Sequence, residues 1–595
     1  MSEINRIFDL LDQYKRKYAS KKNAFGFKSH NVWNTYSSSD YINYANEISL
    51  GLLKLGVKKG DRVATIMINC PEWNFIDMGL MQIGAIQVPI YPTISVSNFK
   101  YIFNDVKLEY IFVSNNEIYQ KIKPIISEIS SIKEIYSIEK LVGVKNWNEV
   151  LILGKESNIK DLKVIKSSIL PEEIATIIYT SGTTGIPKGV MLTHSNLISN
   201  IMACAIISPF KASYLAFSFL PLCHIYERML NYVYQYFGMA IYYSDNFDNI
   251  GKNIKEIKPH TFCAVPRVLE KVCDKIERES DKLSGIKRKV FLWAVSLSND
   301  FSVNKRNGFV YNCKRGFADF LVFRKWRKAL GGNLIMIVSG GAPLQQRISK
   351  LLWTARIPVM TGYGLTETSP VIAVSNFDKY GMKFGTVGPL IKDVKVKIAE
   401  DGEILVKSPG LMKGYYNLPE KTNEVIDKDG WFHTGDIGCM EDEKYLRITD
   451  RKKEMFKTSG GKYVAPQVIE NIAKESPFIK KIMVIGEKRR FTSALILPNF
   501  EHIESWCKVN NIDFSTNEAI IKNKKVLERF NKEIFDINSK LNKVEQIKKF
   551  TLIYDNWTVE TSELSPTLKL RRKFIQRKYK ETINEMYGKG YLNYV

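Results

Sequence analysis

The sequence predicts an α/β protein. It is read as a large N-terminal domain of layered α/β subdomains with a small β-rich subdomain, followed by a smaller α+β C-terminal domain. Three observations carry this. Short β-branched runs alternate with helical stretches through the first two thirds of the chain, the pattern turns to short strands and turns from about residue 382, and a mixed α and β unit follows Asp450. The 595 residues exceed one ordinary domain, and 45% hydrophobic with 12% aromatic content fills large cores rather than a disordered chain.

Taken in order, residues 38–58 (SSDYINYANEISLGLLKLGVK) place apolar residues at helical spacing after a Ser/Asp start. The runs DRVATIMIN, AIQVPIYPT, KLEYIFVS, EEIATIIYTS, FSFLPL, GMAIYYS, HTFCAVP, NLIMIVSGG and IPVMTGYG read as strands of a mostly parallel sheet. Ligands of open α/β sheets sit at the carboxyl ends of strands, so the Gly- and Ser-rich turns there are the places to look. Residues 267–332 break the rhythm with long, basic, helical sequence. The runs GTVGPL, VKVKIAE and GEILVKS read as the strands of the β-rich part, giving domains 1–449 (β-rich subdomain about 382–449) and 450–595.

The formal charge is +25, from 87 Lys+Arg against 62 Asp+Glu, which favours phosphorylated ligands, acidic membrane or nucleic acid. No zinc finger or RNA-recognition signature is present, and basic residues do not interleave with aromatics in one module, so nucleic acid is not expected. The eight cysteines form no CxxC pair, which argues against a zinc site or disulfide framework and for reduced thiols in the cytoplasm. The N-terminus lacks an uninterrupted apolar h-region, and no window of about 18 residues is apolar throughout. The nearest, Trp73 to Tyr91, is broken by Asn74, Asp77 and Pro89 and reads as a buried core segment.

Tyr179 to Gly189, YTSGTTGIPKG, follows an apolar strand. Gly182, Gly185 and Gly189 let the backbone approach a ligand; Ser181, Thr183 and Thr184 bring hydroxyls and N–H donors; Lys188 brings a point charge for phosphate oxygens. A Walker loop is excluded, because Pro187 rather than glycine precedes the lysine. In SGGAPL (339–344) the Gly-Ala-Pro turn offers a flat wall for a base. In TGYGLTETSP (361–370) Tyr363 offers a stacking face, Thr366 a hydroxyl and Glu367 a hard oxygen ligand for Mg²⁺. Asp436 in WFHTGDIG is placed in a turn where a carboxylate can accept from ribose hydroxyls.

YTSGTTGIPKGVMLTH resembles the signature of the adenylate-forming (AMP-binding) superfamily, and further motifs follow in the family's order over nearly the whole chain. PLCHIYERM (221–229) and the helical insert resemble its long-chain fatty acid–CoA ligase subgroup. The resemblance implies an acid–thiol ligase that uses ATP, Mg²⁺ and coenzyme A, with a mobile C-terminal domain. It implies nucleotide contacts at Thr180, Ser181, Gly182, Thr183, Thr184, Gly185, Lys188, Gly341, Ala342, Pro343, Thr361, Gly362, Tyr363, Gly364, Thr366, Asp436 and Arg451. Metal falls to Glu367 and Thr184, the hinge to Lys453, coenzyme A to Gly460, Gly461 and Lys462, and the acyl chain to His224. Lys569 in LSPTLKLRR matches the lysine of the first half-reaction, ahead of Arg571 and Arg572, although Leu568 stands where the widespread form has Gly. The alternatives are activation of another acid (aryl, amino or medium-chain) and a non-catalytic basic binding protein. No carrier domain follows residue 595, which weakens the peptide-synthetase reading. A peripheral contact with anionic membrane fits a lipid substrate.

Overall fold

The computed structural model describes residues 4–181, 186–244, 246, 248–281, 283–303, 307–460, 462–558, 561–564 and 570–588. It divides into two compact units: Met1–Lys397 with Leu405–Thr434 and Met440–Leu446, and Ile398–Ile404 with Gly435–Cys439 and Arg447–Val595.

The first unit opens with β1 (Phe25–Ser29) and β2 (Val32–Tyr36), then β3 (Arg62–Ile66), β4 (Ile86–Pro89), β5 (Tyr110–Val113), β6 (Glu134–Ser137) and β7 (Lys145–Asn146). There follow β8 (Ile174–Ser181), β9 (Pro187–Thr193), β10 (Leu215–Ser218), β11 (Ala240–Tyr243), β12 (Thr261–Ala264), β13 (Met336–Ser339), β14 (Val359–Gly364) and β15 (Val371–Val374). The β-rich stretch supplies β16 (Lys395–Ile398), β17 (Glu403–Lys407), β18 (Gly414–Tyr415), β19 (Phe432–Glu441) and β20 (Tyr445–Arg451).

Two eight-stranded sheets result, in the orders β15-β14-β13-β12-β10-β11-β1-β2 and β18-β9-β8-β4-β3-β5-β6-β7. Their centres are parallel, as βα alternation demands, and antiparallel strands close three of the four edges, β7 alone pairing parallel with its neighbour β6. The helix Ser38–Lys54 starts where the Ser/Asp pattern puts it: Ser37 Oγ accepts from Asp40 N at 3.1 Å and Asp40 Oδ2 accepts from Ser37 N at 2.8 Å.

The helices Pro71–Gln82 and Ile225–Tyr236 link the two sheets. Every residue of the first is buried, its polar Glu72, Asn74, Asp77 and Gln82 included. Fully buried Arg228 ties its helix to the second of these sheets and to the helix Pro71–Gln82: its Nη1 donates to Thr176 Oγ1 of β8 at 2.9 Å, and its Nη2 to Gln87 Oε1 of β4 at 2.5 Å and Asp77 Oδ1 at 2.6 Å. Tyr243 OH of β11 receives Asn74 Nδ2 and donates to Asn231 Oδ1, both at 2.8 Å. A buried guanidinium is tolerable only when its donors are satisfied in this way.

GTVGPL (385–390) corrects the sequence reading, since it forms no strand. Proline 389 has no N–H to give a ladder, and only isolated bridges form, Pro389 with Tyr445 and Leu390 with Ala373.

The second unit adds the short pair β21 (Phe456–Lys457) and β22 (Tyr463–Val464), then β23 (Ile479–Ile485), β24 (Thr492–Pro498) and β25 (Ile547–Leu552). The last three form a sheet in that order, antiparallel then parallel. Ile482, Val484, Leu495 and Leu497 from the strands meet Phe530, Ile534 and Ile575 from helices in its core. No helix among the described residues is long and apolar enough to cross a membrane.

Candidate active site

The Gly/Thr motif begins in β8 and ends in β9, which pair antiparallel. Thr180 pairs with Lys188 and Ser181 with Pro187, and Gly182, Thr183, Thr184 and Gly185 lie outside the described residues. The base of the hairpin is held from outside it. The Tyr179 hydroxyl donates to the Asp105 carboxylate, which also accepts from Asn417 Nδ2 at 3.2 Å. Burial and the Asp105 carboxylate together push the Tyr179 phenol well above its ordinary range, so it stays a donor. On the far side of β9, β18 pairs antiparallel with Tyr415 opposite Val190, and Tyr416 N donates to Gly189 O at 2.7 Å.

The other motifs sit at the carboxyl ends of adjacent parallel strands. Ser339 ends β13 beside Thr361 of β14. Gly341 has φ +81, a left-handed conformation that favours glycine, and 341–343 are exposed. The turn is braced from below by Tyr226, whose hydroxyl donates to Val338 O at 3.0 Å and whose ring stands 3.2 Å from where a Cβ on Gly340 would lie. Thr361 Oγ1 donates to Thr386 O at 3.1 Å, and Gly362 and Tyr363 pair with Val374 and Ala373 of β15 before a bulge at Tyr363/Gly364.

After Gly364 the chain folds back on itself so tightly that a Cβ there would lie 1.7 Å from Pro370 O. Thr366–Thr368 is one 3-10 turn, closed by Thr368 Oγ1 donating to Pro370 O at 2.6 Å. Buried Asn200, from the helix after β9, donates to Val371 O at 2.9 Å and accepts from Val371 N at 3.2 Å. Asn200 thereby fastens the Thr366–Glu367 turn to the element that carries the Gly/Thr hairpin. The two motifs meet at Tyr415: its hydroxyl donates to Glu367 Oε1 at 2.9 Å, and Lys188 Nζ lies 4.3 Å from its ring centroid. Burial first, then the Glu367 charge, pushes the Tyr415 phenol far up, so it remains protonated and donating.

The second unit holds its own group of motif residues. Asp436, 3% exposed, pairs with Arg451 Nε through Oδ1 at 3.0 Å. Lys452 Nζ binds Asp401 at 2.6 Å and Glu403 at 2.7 Å, and Lys452 N donates to Gly435 O at 2.9 Å, whereas Lys453 lies in an exposed turn. Gly460 and Lys462 are exposed in the β21–β22 connection, where Thr458 N donates to Lys462 O at 3.0 Å; Gly461 lies outside the described residues. Lys569 lies outside them too. Its flanks are fixed: Leu564 bridges Leu570, and Arg572 Nη1 and Nη2 bind the two oxygens of Glu470 at 2.8 and 2.7 Å. Arg572 is therefore committed to structure.

Residues 11–416 match the AMP-binding enzyme family, and residues 454–590 match the AMP-binding enzyme C-terminal domain. The chain belongs to the AMP-binding enzyme family. It is 31% identical to long-chain-fatty-acid–CoA ligase FadD15 of Mycobacterium bovis over 94% of this chain and 93% of that one. It is 32% identical to the peroxisomal long chain acyl-CoA synthetase 7 of Arabidopsis thaliana, over 98% of this chain and 87% of that one. The solved Mycobacterium tuberculosis fatty acyl CoA synthetase shares the fold, with a TM-score of 0.62 and 21% identity over 98% of this chain and 100% of that one.

In this AMP-binding enzyme His224 is exposed at the start of the helix Ile225–Tyr236, edge-on to Tyr91 with ring centroids 5.8 Å apart. The residues that sequence reasoning missed are Tyr415, Asp105, Asn200 and Tyr226. Each is an ordinary residue whose partner lies tens or hundreds of positions away, and no local spacing marks such a contact.

Proposed function

We propose that this AMP-binding enzyme is a long-chain fatty acid–CoA ligase. In the first step a fatty carboxylate oxygen attacks the α-phosphorus of ATP, the bond to the β-phosphate breaks, and pyrophosphate leaves with the electron pair. In the second, the sulfur of coenzyme A attacks the acyl carbon, the acyl–oxygen bond breaks, AMP leaves, and the thiol proton passes to solvent. The supporting observation is that Lys188 and Glu367 share Tyr415, a cation and a hard anion on one aromatic residue beside the parallel strand ends. The names of relatives aligned over nearly the whole chain supply the acid.

Such chemistry asks a protein for position and charge rather than a nucleophile. Lys188 neutralises phosphate oxygens, with the Tyr415 face holding its ammonium. Thr366 donates to the α-phosphate, and Tyr363 with the Gly341–Pro343 turn flanks the adenine. Glu367 fits Mg²⁺, which prefers one or two carboxylates together with substrate phosphates and water; Thr184 is its second protein ligand. When bound, the metal supplies charge neutralisation for the leaving pyrophosphate. Asp436 and Arg451 take the ribose, Lys569 the acid and α-phosphate in the first step, and Gly460 to Lys462 the pantetheine in the second, with Lys453 as hinge of the C-terminal domain. His224 lines the acyl opening. The enzyme works in the cytoplasm, in keeping with eight free cysteines, and meets anionic membrane peripherally.

AMP release, measured across acids from short to very long chain with and without coenzyme A, tests this. Release that requires coenzyme A and is greatest with long-chain acids is expected. Faster turnover of aryl or amino acids sinks the assignment.

A further inference from the structure

The helix Phe309–Ala318 runs through a π-helical turn, Asp319–Phe323, into Arg324–Ala329. One side of this rod is fixed to the first unit. Ala318, Val322, Phe323 and Trp326 are buried, and Arg315 donates to Thr354 O and Trp353 O, both at 2.8 Å. The opposite side is apolar and bare to solvent: Phe309 is 83% exposed, Val310 66%, Phe317 60% and Phe320 69%. At helical spacing 309, 313, 317 and 320 fall on one stripe. Three of the five exposed phenylalanines among the described residues stand on it. The neighbouring helix Gly285–Ser296 extends the face, with Ile286 80% and Leu292 53% exposed and Trp293 6.2 Å from Phe317 between ring centroids.

A stripe of this size in solvent marks a contact surface, and the charge around it says with what. Residues 283–330 contain eleven Lys or Arg against two Asp. One of those acids, Asp319, is already paired with Arg327. Lys287, Arg288 and Lys289 on one helix and Lys314, Arg324 and Lys325 on the other are exposed. Bulky apolar side chains along a helix with a basic rim are the form of an interfacial membrane helix: the rings enter the acyl boundary while the cations meet anionic headgroups.

We propose that the face formed by Phe309, Val310, Phe317 and Phe320, with its rim of lysine and arginine, docks this enzyme on an anionic phospholipid surface. The proposal rests on the ligase reading, because a fatty acid dissolved in a bilayer gives the docking a purpose.

The test uses the full chain and vesicles of phosphatidylcholine alone or mixed with phosphatidylserine. Sedimentation with the anionic vesicles exceeds that with the neutral ones and falls as salt rises. The triple variant Phe309→Ser, Phe317→Ser, Phe320→Ser partitions about tenfold less. Its ATP–pyrophosphate exchange with a water-soluble acid, measured without vesicles, stays at the parent level. Folding of the variant is bypassed by a polarity-sensitive dye on exposed Cys313 in a Cys439→Ser chain, whose emission shifts to the blue on anionic vesicles. Unchanged partition of a folded triple variant, a dye that keeps its aqueous emission, or a parent chain that binds neither vesicle overturns the proposal. Absence of exchange with any acid while vesicle binding persists strikes the ligase reading and leaves this surface standing.

Discussion

Tyr415 donates its hydroxyl hydrogen to Glu367 Oε1 at 2.9 Å, and the same ring faces Lys188 Nζ. One side chain therefore aims a carboxylate and positions an ammonium, from a strand that pairs with the hairpin carrying the lysine. Partners that orient a metal-binding carboxylate are worth about 10–100-fold in metal affinity or activity. Tyr415→Phe keeps the ring and loses the donor, so the Mg²⁺ concentration that half-saturates ATP–pyrophosphate exchange rises by about that factor. Tyr415→Ala also releases Lys188 and raises the KM for ATP. An unaltered Mg²⁺ dependence in Tyr415→Phe removes Glu367 from the metal site.

Buried Arg228 sets a stability prediction. Its partners Asp77, Gln87 and Thr176 come from a helix and two strands, so the guanidinium is a cross-brace as well as a charge. Removing one member of a buried pair strands the other and costs about 3–5 kcal/mol. Arg228→Met and Asp77→Leu should each lower the unfolding free energy, read from denaturant titration, by that order, while the double variant recovers much of the loss. Strictly additive losses in the double variant speak against a coupled pair.

Acid sensitivity of the first unit traces in part to His194. It opens the helix after β9, and its Nδ1 accepts from Ile7 N at 3.4 Å. Burial holds its pKa down to about 3 from the ordinary 6.5, with Arg6 and Arg228 lowering it further and Asp9 opposing them. The unfolded chain therefore binds a proton that the folded chain refuses. The neutral ring's contribution is fully present above pH 6.5 and is lost as pH falls toward 3. His194→Gln keeps an acceptor but cannot titrate, so its melting temperature should decline less steeply than the parent's between pH 6.5 and about 4.5. Parallel declines would falsify the assignment.

Much of this was legible in the sequence, for a physical reason. The β8–β9 hairpin, the Gly341 turn and the tight return after Gly364 need glycine where the backbone bends or is touched, and glycine is visible one residue at a time. The buried helix Pro71–Gln82 was legible from its mostly apolar content, although Asn74 and Asp77 interrupt it. GTVGPL misled because its composition suits a strand and Pro389 spoils the ladder. Tyr415 was invisible since its meaning is tertiary: nothing near residue 415 says that Glu367 stands 2.9 Å away.

The last prediction concerns Lys569, whose segment is held at both ends. Leu564 bridges Leu570, Arg571 N donates to Glu563 O at 2.8 Å, and Arg572 is bound to Glu470 and Glu454. Replacing Lys569 removes a charge without touching any of these contacts, so the C-terminal unit keeps its fold. Lys569→Ala should depress acyl-AMP formation by about 10²-fold, the usual cost of one charge-stabilising group. It should leave thioester formation from supplied acyl-AMP near the parent rate, as the proposed role of the Gly460 to Lys462 connection in that step requires. Arg572→Met does the reverse in kind: it strands Glu470 beside Val484 N and lowers the stability of the second unit, depressing both half-reactions together. Equal loss of both steps in Lys569→Ala, with the fold intact, would place the first-step charge elsewhere and end the alternation of the two loops.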